Sequence, residues 1–293
     1  MAERIGSVDT IRDSIDLALL RQDRVLWTAI MSNPMAWAEL GRRVHSPTIF
    51  REAVCHLVGQ WQRIREEGEV DLHEDIIRVC QQKFNELSTF REAVEMRILG
   101  YYPESLLQNV QERPDPPSSD HIYIWMDLCF FRQWFAQAMA DDRTRKAPDG
   151  GFAFYTALAH GGEAYLSRED FKHFYQYFPM NREECHVLEA NMNALKEDVK
   201  QFVTDIVFNR SHVDREEHAI NWLTCTVIDQ KDFPWYISDD EKTVVGNDAF
   251  DFGDGNSRDQ LRSQEDNDLR QYKGEDGASL GAAVVDYVAD DEK

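Results

Sequence analysis

Cysteine and histidine residues in the C-terminal half of the chain are the side chains closest in type to a metal site. Cys185, His186, His212, His218 and Cys225 lie within 41 residues and supply the nitrogen and sulfur ligands that zinc uses. Structural zinc sites draw on closely spaced ligand pairs, and only His212 and His218, with five residues between them, come near that spacing. Cys185 and His186 are adjacent and point to different faces of a helix. The sequence therefore predicts no metal site.

Nucleophilic and acid–base chemistry has candidates of the right residue type but not of the right geometry. Cys55 and His56 are neighbours in the sequence, and sequential residues on a helix do not face each other. Glu183 and Glu184 stand at a predicted helix start, where carboxylates complement the helix dipole. We interpret these residues as structural and expect His56 to be a hydrogen-bonded core or boundary side chain.

Nucleotide-binding and hydrolase motifs are missing from the chain. It contains no G-x-x-x-x-G-K-[ST], no G-x-G-x-x-G, no G-x-S-x-G and no H-E-x-x-H. The DFGDGN stretch at residues 251–256 matches the kinase magnesium triplet by accident, because no glycine-rich loop or catalytic-loop motif accompanies it. We predict that the protein is not an enzyme and needs no cofactor.

The elements that would position these side chains are helices. Apolar residues recur at spacings of three and four, the period of an amphipathic helix. The pattern predicts helices over residues 8–31, 35–44, 47–68, 73–99, 122–139, 152–159, 168–178 and 182–209. Ser46, followed by Pro47, and Asn181 are N-caps that begin two of them. The predicted fold class is mostly α, a multi-helix globular body.

The composition changes sharply after Tyr236. Residues 237–293 contain 16 acidic and 6 basic residues, so they carry −10 of the total net charge of −22. Few apolar residues remain there, which is the composition of a disordered segment. We predict a helical domain over residues 1–236 and a disordered acidic C-terminal tail over residues 237–293. The proline-rich stretch 111–120 is interpreted as a surface loop, with a subdomain boundary as the alternative.

The net charge of −22 excludes some classes of partner. It argues against direct nucleic-acid binding, which depends on Lys and Arg at phosphates, and against an anionic membrane surface. No apolar run approaches the ~18 residues of a membrane helix, and the N-terminus has no signal-peptide core. Five separated cysteines without a C-x-x-C pair are typical of reduced thiols. We predict an intracellular protein, cytoplasmic or nuclear, whose partner is another protein.

Two aromatic clusters supply the candidate binding residues. One lies in the nearly all-apolar helix 122–139, which we predict to be central and buried on several sides. Core packing accounts for most of the rings, and the remainder suit a peptide-binding groove, since aromatic anchors are typical of recognition surfaces. The candidate partner-binding residues are Trp134, Phe135, Phe171, Phe174, Tyr175 and Phe178.

Several stretches resemble a known family. They are SPTIFREAVCHLVGQW at 46–61, EMRILGYYP at 95–103, LCFFRQWFA at 128–136 with PDGG at 148–151, and YQYFPM at 175–180. They resemble the helical region of filamentous-fungal BTB/POZ-like proteins, a region that spans residues 33–236 here. The BTB core itself has no counterpart before the first predicted helix. The resemblance therefore implies neither BTB dimerisation nor ubiquitin-ligase scaffold binding, and it brings no catalytic residue set.

These observations lead to one functional prediction and two alternatives. We predict a non-enzymatic protein–protein interaction or adaptor module of BTB-like type. The first alternative is a ligand-binding or enzymatic protein with a pocket in the aromatic interior around Trp125, Trp134 and Tyr155. The second is a nuclear regulator that acts through its acidic tail on a basic partner. The sequence leaves the oligomeric state open.

Overall fold

A computed structural model describes residues 8–68, 70–107, 120–177 and 180–236, without the side chains of residues 8–13, 105, 107, 120 and 173–177. Its helices are α1 Val8–Leu20, α2 Arg24–Ser32, α3 Pro34–Arg43, α4 Pro47–Gly59, α5 Trp61–Glu66, α6 Glu74–Leu99, α7 Glu104–Leu107, α8 Asp120–Ala140, α9 Phe152–His160, α10 Arg168–Tyr177 and α11 Arg182–Val207. No strand occurs in these ranges, which confirms the mostly α fold class. The predicted tail, and the proline-rich stretch up to residue 119, lie outside the described residues.

The N-terminal helices are arranged around α4. Its N-cap is the predicted one: the Ser46 hydroxyl accepts a hydrogen bond from the Ile49 N–H at 3.3 Å, and Pro47 occupies the first turn. Between residues 49 and 58 only Arg51 is exposed. α3 packs along α4, and α2 and α6 also contact it. A helix apolar on nearly every side needs such surrounding partners.

The C-terminal helices are arranged around α11. Asn181 begins it with a reciprocal capping box, in which its side chain bonds the Glu184 N–H and the Glu184 carboxylate bonds the Asn181 N–H. α8 and α9 pack on α11, and α11 also contacts α6. One apolar core runs from Leu26 to Phe233 and includes residues on both sides of the segment 108–119.

Residues 208–236 form the last described segment, which returns to the first helices. The segment contains a 3₁₀ turn, Gln230–Asp232, and passes close to α4. A Cβ at Gly59 would lie 2.2 Å from the Leu223 carbonyl oxygen, so this approach requires glycine. The Lys83 ammonium on α6 pairs with Asp232 at 2.9 Å, and both side chains are at most 5% exposed. The segment is thus bound to the helices by close backbone contact and by a buried ion pair.

Candidate functional site

The outer face of α8 carries no charge. We use "outer face" for its exposed residues, which are Ile122, Trp125, Cys129, Gln133, Ala136, Gln137 and Ala140. These residues follow one another at helical spacing, over about 27 Å of helix. Solvated helix faces are normally rich in charged residues, and 29% of this chain is charged. Depletion of charge together with an exposed aromatic residue is the composition of an interface core.

Trp125, at the N-terminal end of the outer face, is held by a neighbouring tyrosine. The rings of Tyr102 and Trp125 meet edge to face with centroids 5.8 Å apart. The two side chains remain 37% and 45% exposed. The Arg132 guanidinium lies 4.2 Å from the centre of the Tyr102 ring and donates a hydrogen bond to the Tyr101 carbonyl at 2.9 Å. Trp125 is therefore exposed but fixed in position.

The turn that presents Tyr102 is attached to α11 and α6. The Tyr101 hydroxyl donates to the Asp198 carboxylate at 2.7 Å, and the Tyr101 ring packs on Phe202. The Arg97 guanidinium lies 4.6 Å from the centre of the Phe202 ring. Burial and the acceptor Asp198 both raise the pKa of the Tyr101 hydroxyl, which therefore stays a donor at neutral pH. These contacts stabilise the turn without a partner.

The inner side of α8 contains a buried carboxyl group. Asp127 is 2% exposed, and neither of its carboxylate oxygens has a hydrogen-bond partner among the described residues. Burial raises its pKa to about 8, so the side chain is mostly neutral at pH 7. α8 thus presents an uncharged side chain to the core as well as an uncharged outer face.

The sequence-predicted binding residues lie elsewhere on α8 and on α10. Phe135 and Phe171 are buried, at 0% and 3% exposed. Trp134 is partly buried and stacks on both Phe154 and Tyr165. The side chains of Phe174 and Tyr175, and the whole of Phe178, lie outside the described residues. The described rings pack on one another and do not join the outer face, so a partner contact through Trp134 stays a prediction.

The three residues expected to surround an aromatic pocket, Trp125, Trp134 and Tyr155, do not all lie in the protein interior. Trp125 is exposed rather than interior. Tyr155 is fully buried, and its hydroxyl donates to the Glu95 carboxylate at 2.6 Å. Trp134 and Tyr155 both pack on Phe154, whereas Trp125 contacts Tyr102 at the surface, so the three residues do not share one environment.

A polar cluster between α4 and residues 211–222 contains a serine, a histidine and a glutamate. Ser211 Oγ lies 3.1 Å from His56 Nε2 and donates to Glu52 Oε1 at 2.5 Å. The Trp222 indole donates to His56 Nδ1 at 3.2 Å. Nδ1 therefore acts as the acceptor in this contact, which leaves Nε2 as the donor to Glu52. With Nε2 as a donor, His56 is not placed to remove the serine proton, so these residues do not form a serine–histidine catalytic pair.

Glu52 is the centre of that polar cluster and is 2% exposed. Burial alone would raise its pKa, but hydrogen bonds from His56, Ser211 and His212 outweigh burial and lower the pKa to about 2. The carboxylate also accepts the His212 backbone N–H at 3.1 Å. The cluster thus attaches the last described segment to α4. His56 is the hydrogen-bonded core residue expected from the sequence.

Within the described residues, no group of three or more His, Cys, Asp or Glu side chains is placed to hold a metal ion. Among the helices of that same part of the chain, none combines the length and the apolar character needed to cross a membrane.

Sequence reasoning missed Tyr102 and Ile122. The Tyr-Tyr-Pro run at 101–103 is readable as a helix stop, but its ring contact with Trp125 depends on the packing of distant helices. A signal was present on α8: the positions that form the outer face contain no Asp, Glu, Lys or Arg. Because these positions share one side of the helix, the absence of charge marks that side even though apolar residues occur all round the helix.

Comparison with known proteins changes the family assignment. No curated protein and no solved structure matched the chain. The BTB/POZ-like assignment is wrong, because the family model that matches is a different one. The quoted stretches are apolar and aromatic helical sequences, a composition that core packing imposes on unrelated helical families. Over residues 103–205, from the turn beside Tyr102 to the last turn of α11, the chain is similar to the fungal type of FF domain, a helical protein–protein interaction module.

Proposed function

We propose that the protein is a non-enzymatic interaction module whose protein partner binds the outer face of α8, with Trp125 as its main contact. The observation that carries this proposal is an uncharged helix face with a fixed, half-exposed tryptophan in a chain of net charge −22. Similarity to the FF domain over residues 103–205 supports an adaptor role. The outer face lies wholly within that range.

The chemistry of the site favours a protein partner with an apolar, uncharged surface. Trp, Tyr and Arg are the residues that most often dominate binding energy, and here all three occur in one contacting set. The Trp125 indole N–H has no hydrogen-bond partner among the described residues. Buried indoles usually find one, so a carbonyl acceptor on the partner fits the site.

Trp125 also needs little reorganisation on binding. Its contact with Tyr102, itself oriented by Arg132, restricts the side chain before the partner arrives. Ordering a free side chain at an interface costs about 0.5–1.5 kcal/mol, and this cost is reduced for a side chain that is already fixed. An intracellular location, cytoplasmic or nuclear, is part of the proposal, and it is supported by five free cysteines.

The first test identifies the partner. Affinity purification with mass spectrometry is carried out on the full chain and on a version that ends at Tyr236. Partners retained by both versions support a site on the helices. A partner lost with residues 237–293 would instead move the function to the acidic tail, and the absence of any specific partner would overturn the proposal.

The second test locates the site. We expect Trp125→Ala to weaken binding of the identified partner by about 2 kcal/mol, or about 30-fold, by titration calorimetry. Val25→Ala is the matched control, since Val25 is 69% exposed on α2. It should leave the affinity unchanged. Wild-type affinity in the Trp125→Ala variant would refute the placement on α8.

A further inference from the structure

Residues 223–229 cross the surface between α4 and α6 without a turn or a bend. Side chains fix this run from one side: Arg51 Nε donates to the Ile228 carbonyl at 3.0 Å, and Cys55 Sγ donates to the Thr224 carbonyl at 3.3 Å. Both side chains belong to α4. Arg210 Nε bonds the carbonyl of Cys225 at 3.0 Å. The run is therefore held in place by its carbonyl groups.

Within the part of the chain that the structure describes, the backbone of Val227 has no hydrogen-bond partner. In an extended chain, the N–H and C=O groups of successive residues point to opposite edges. Since the carbonyls of Thr224 and Ile228 face α4, the polar groups of Val227 face away from it. Among the described residues neither its N–H nor its carbonyl makes a hydrogen bond. Val227 is also 46% exposed.

A cavity of about 570 Å³ lies between this run and α6. Phe90, which is 39% exposed, and Val227 form its accessible apolar walls, and Leu87 and Cys225 are buried residues beneath them. Phe90 also lines a second, shallower concavity along the outer side of α6. The cavity therefore joins an apolar surface to a backbone run in which Val227 is unpaired among the described residues.

The charges around the cavity are already paired or balanced. The Lys83 ammonium bonds Glu86 at 3.0 Å and Asp232 at 2.9 Å, so its charge is neutralised within the protein. The other lining charges, Asp205, Asp229, Arg210 and Lys231, are equal in number for each sign. The lining residues therefore have no excess charge that would favour a charged ligand.

We propose that the cavity binds an extended peptide segment of another protein, which pairs its backbone with Val227 and places an aliphatic or aromatic side chain against Phe90. An unpaired extended edge is a template for a further strand, and main-chain hydrogen bonds supply affinity in this mode. Residues directly opposite in a pair lie on the same face. The partner residue opposite Val227 therefore meets the apolar wall. Apart from Asp205, the last matched residue, this site lies outside residues 103–205, and it is separate from the outer face of α8.

The test begins with a library of random dodecapeptides displayed on phage and selected against the full chain. The strongest peptides are synthesised and their affinities measured by fluorescence anisotropy. We expect Val227→Pro, which removes the N–H, and Phe90→Ala, which removes the wall, each to weaken binding about tenfold or more. Val25→Ala, at a residue 69% exposed on α2, is the control, and it should bind these peptides as the wild type does. Circular dichroism checks that each variant is folded.

A second measurement leaves the protein unaltered. Peptides N-methylated at the paired backbone amides keep their side chains but lose the donor, so they should bind about tenfold more weakly. Amide exchange at Val227 should slow in the complex. Peptides that tolerate N-methylation, or that bind Val227→Pro at wild-type affinity, would overturn backbone pairing. A library that yields no peptide sensitive to Phe90→Ala would overturn the site itself.

Discussion

Replacing Asp127 by asparagine should stabilise the protein at neutral pH, by an amount that increases with pH. The carboxyl group is 2% exposed, and within the described ranges neither of its oxygens has a hydrogen-bond partner. Burial raises its pKa from 3.8 to about 8, because the charged form is poorly solvated in the core. Asparagine has nearly the same shape and does not ionise.

The sign of this pH dependence follows from the protonation of Asp127 in the folded and unfolded states. Between pH 3.8 and about 8 the folded protein retains a proton on Asp127 that the unfolded chain has released. The free energy of unfolding therefore falls by about 1.4 kcal/mol per pH unit in this window. The contribution of the neutral carboxyl group is complete below pH 3.8 and is lost as pH rises towards 8. From pH 5.5 to 7.5 we expect the free energy of unfolding of the wild type to fall by about 2.5 kcal/mol. The Asp127→Asn variant should not show this fall.

Urea unfolding followed by tryptophan fluorescence at pH 5.5, 6.5 and 7.5 measures this difference. All three pH values are above the isoelectric point of about 4.7, which limits aggregation. Asp71→Asn is the matched control, because Asp71 is exposed. Its effect should stay within about 0.5 kcal/mol at every pH. If the wild type and the Asp127→Asn variant change in parallel, the carboxylate is ionised in the folded protein, and the reasoning from burial is refuted.

Two further pairs of substitutions test how the loops and the last segment are held. Lys83→Met should lower the free energy of unfolding by about 3–5 kcal/mol, because it leaves Asp232 buried and unpaired. Adding Asp232→Leu should recover part of this loss in urea titrations, and a purely additive double variant would contradict a buried pair. Gly151→Ala should cost more than about 2 kcal/mol, because φ is 86° and the new Cβ would lie 2.6 Å from Tyr155 Cε2. Gly162→Ala, with φ of 51° but open space around the Cβ, should cost only about 1 kcal/mol, and equal losses in thermal melts would refute the steric argument.

Helix positions are predictable here to the extent that their signals are local. The caps at Ser46 and Asn181 begin helices where the sequence predicts them. The apolar period over residues 8–31 predicts one helix, and the structure has two, because Asp23 adopts φ of 42° between α1 and α2. Its carboxylate accepts the Trp27 indole N–H at 3.3 Å. A period of apolar residues does not reveal a single reversed backbone residue.

The candidate site is less predictable, because exposure depends on distant partners. An apolar pattern around α8 predicts a helix buried on several sides, and the pattern cannot say which sides other helices will cover. α7 and α11 cover only part of α8, so Trp125 remains exposed while Phe135 is fully buried. Both residues are aromatic and lie on the same helix. Only the absence of charge along the outer face distinguishes that face from a solvated one.

The return of residues 208–236 to the first helices determines when the fold can be completed during synthesis. Glu52 accepts a hydrogen bond from Ser211, which lies 159 residues later in the chain. Arg24 pairs with Glu217, which lies 193 residues later. At ribosomal rates of about 5–20 residues per second, α4 remains without these contacts for roughly 10–30 s. During that time the Glu52 carboxylate is solvated by water, and the surfaces of α4 that residues 208–236 will cover stay exposed. A chain cut before residue 208 would remain in that open condition permanently.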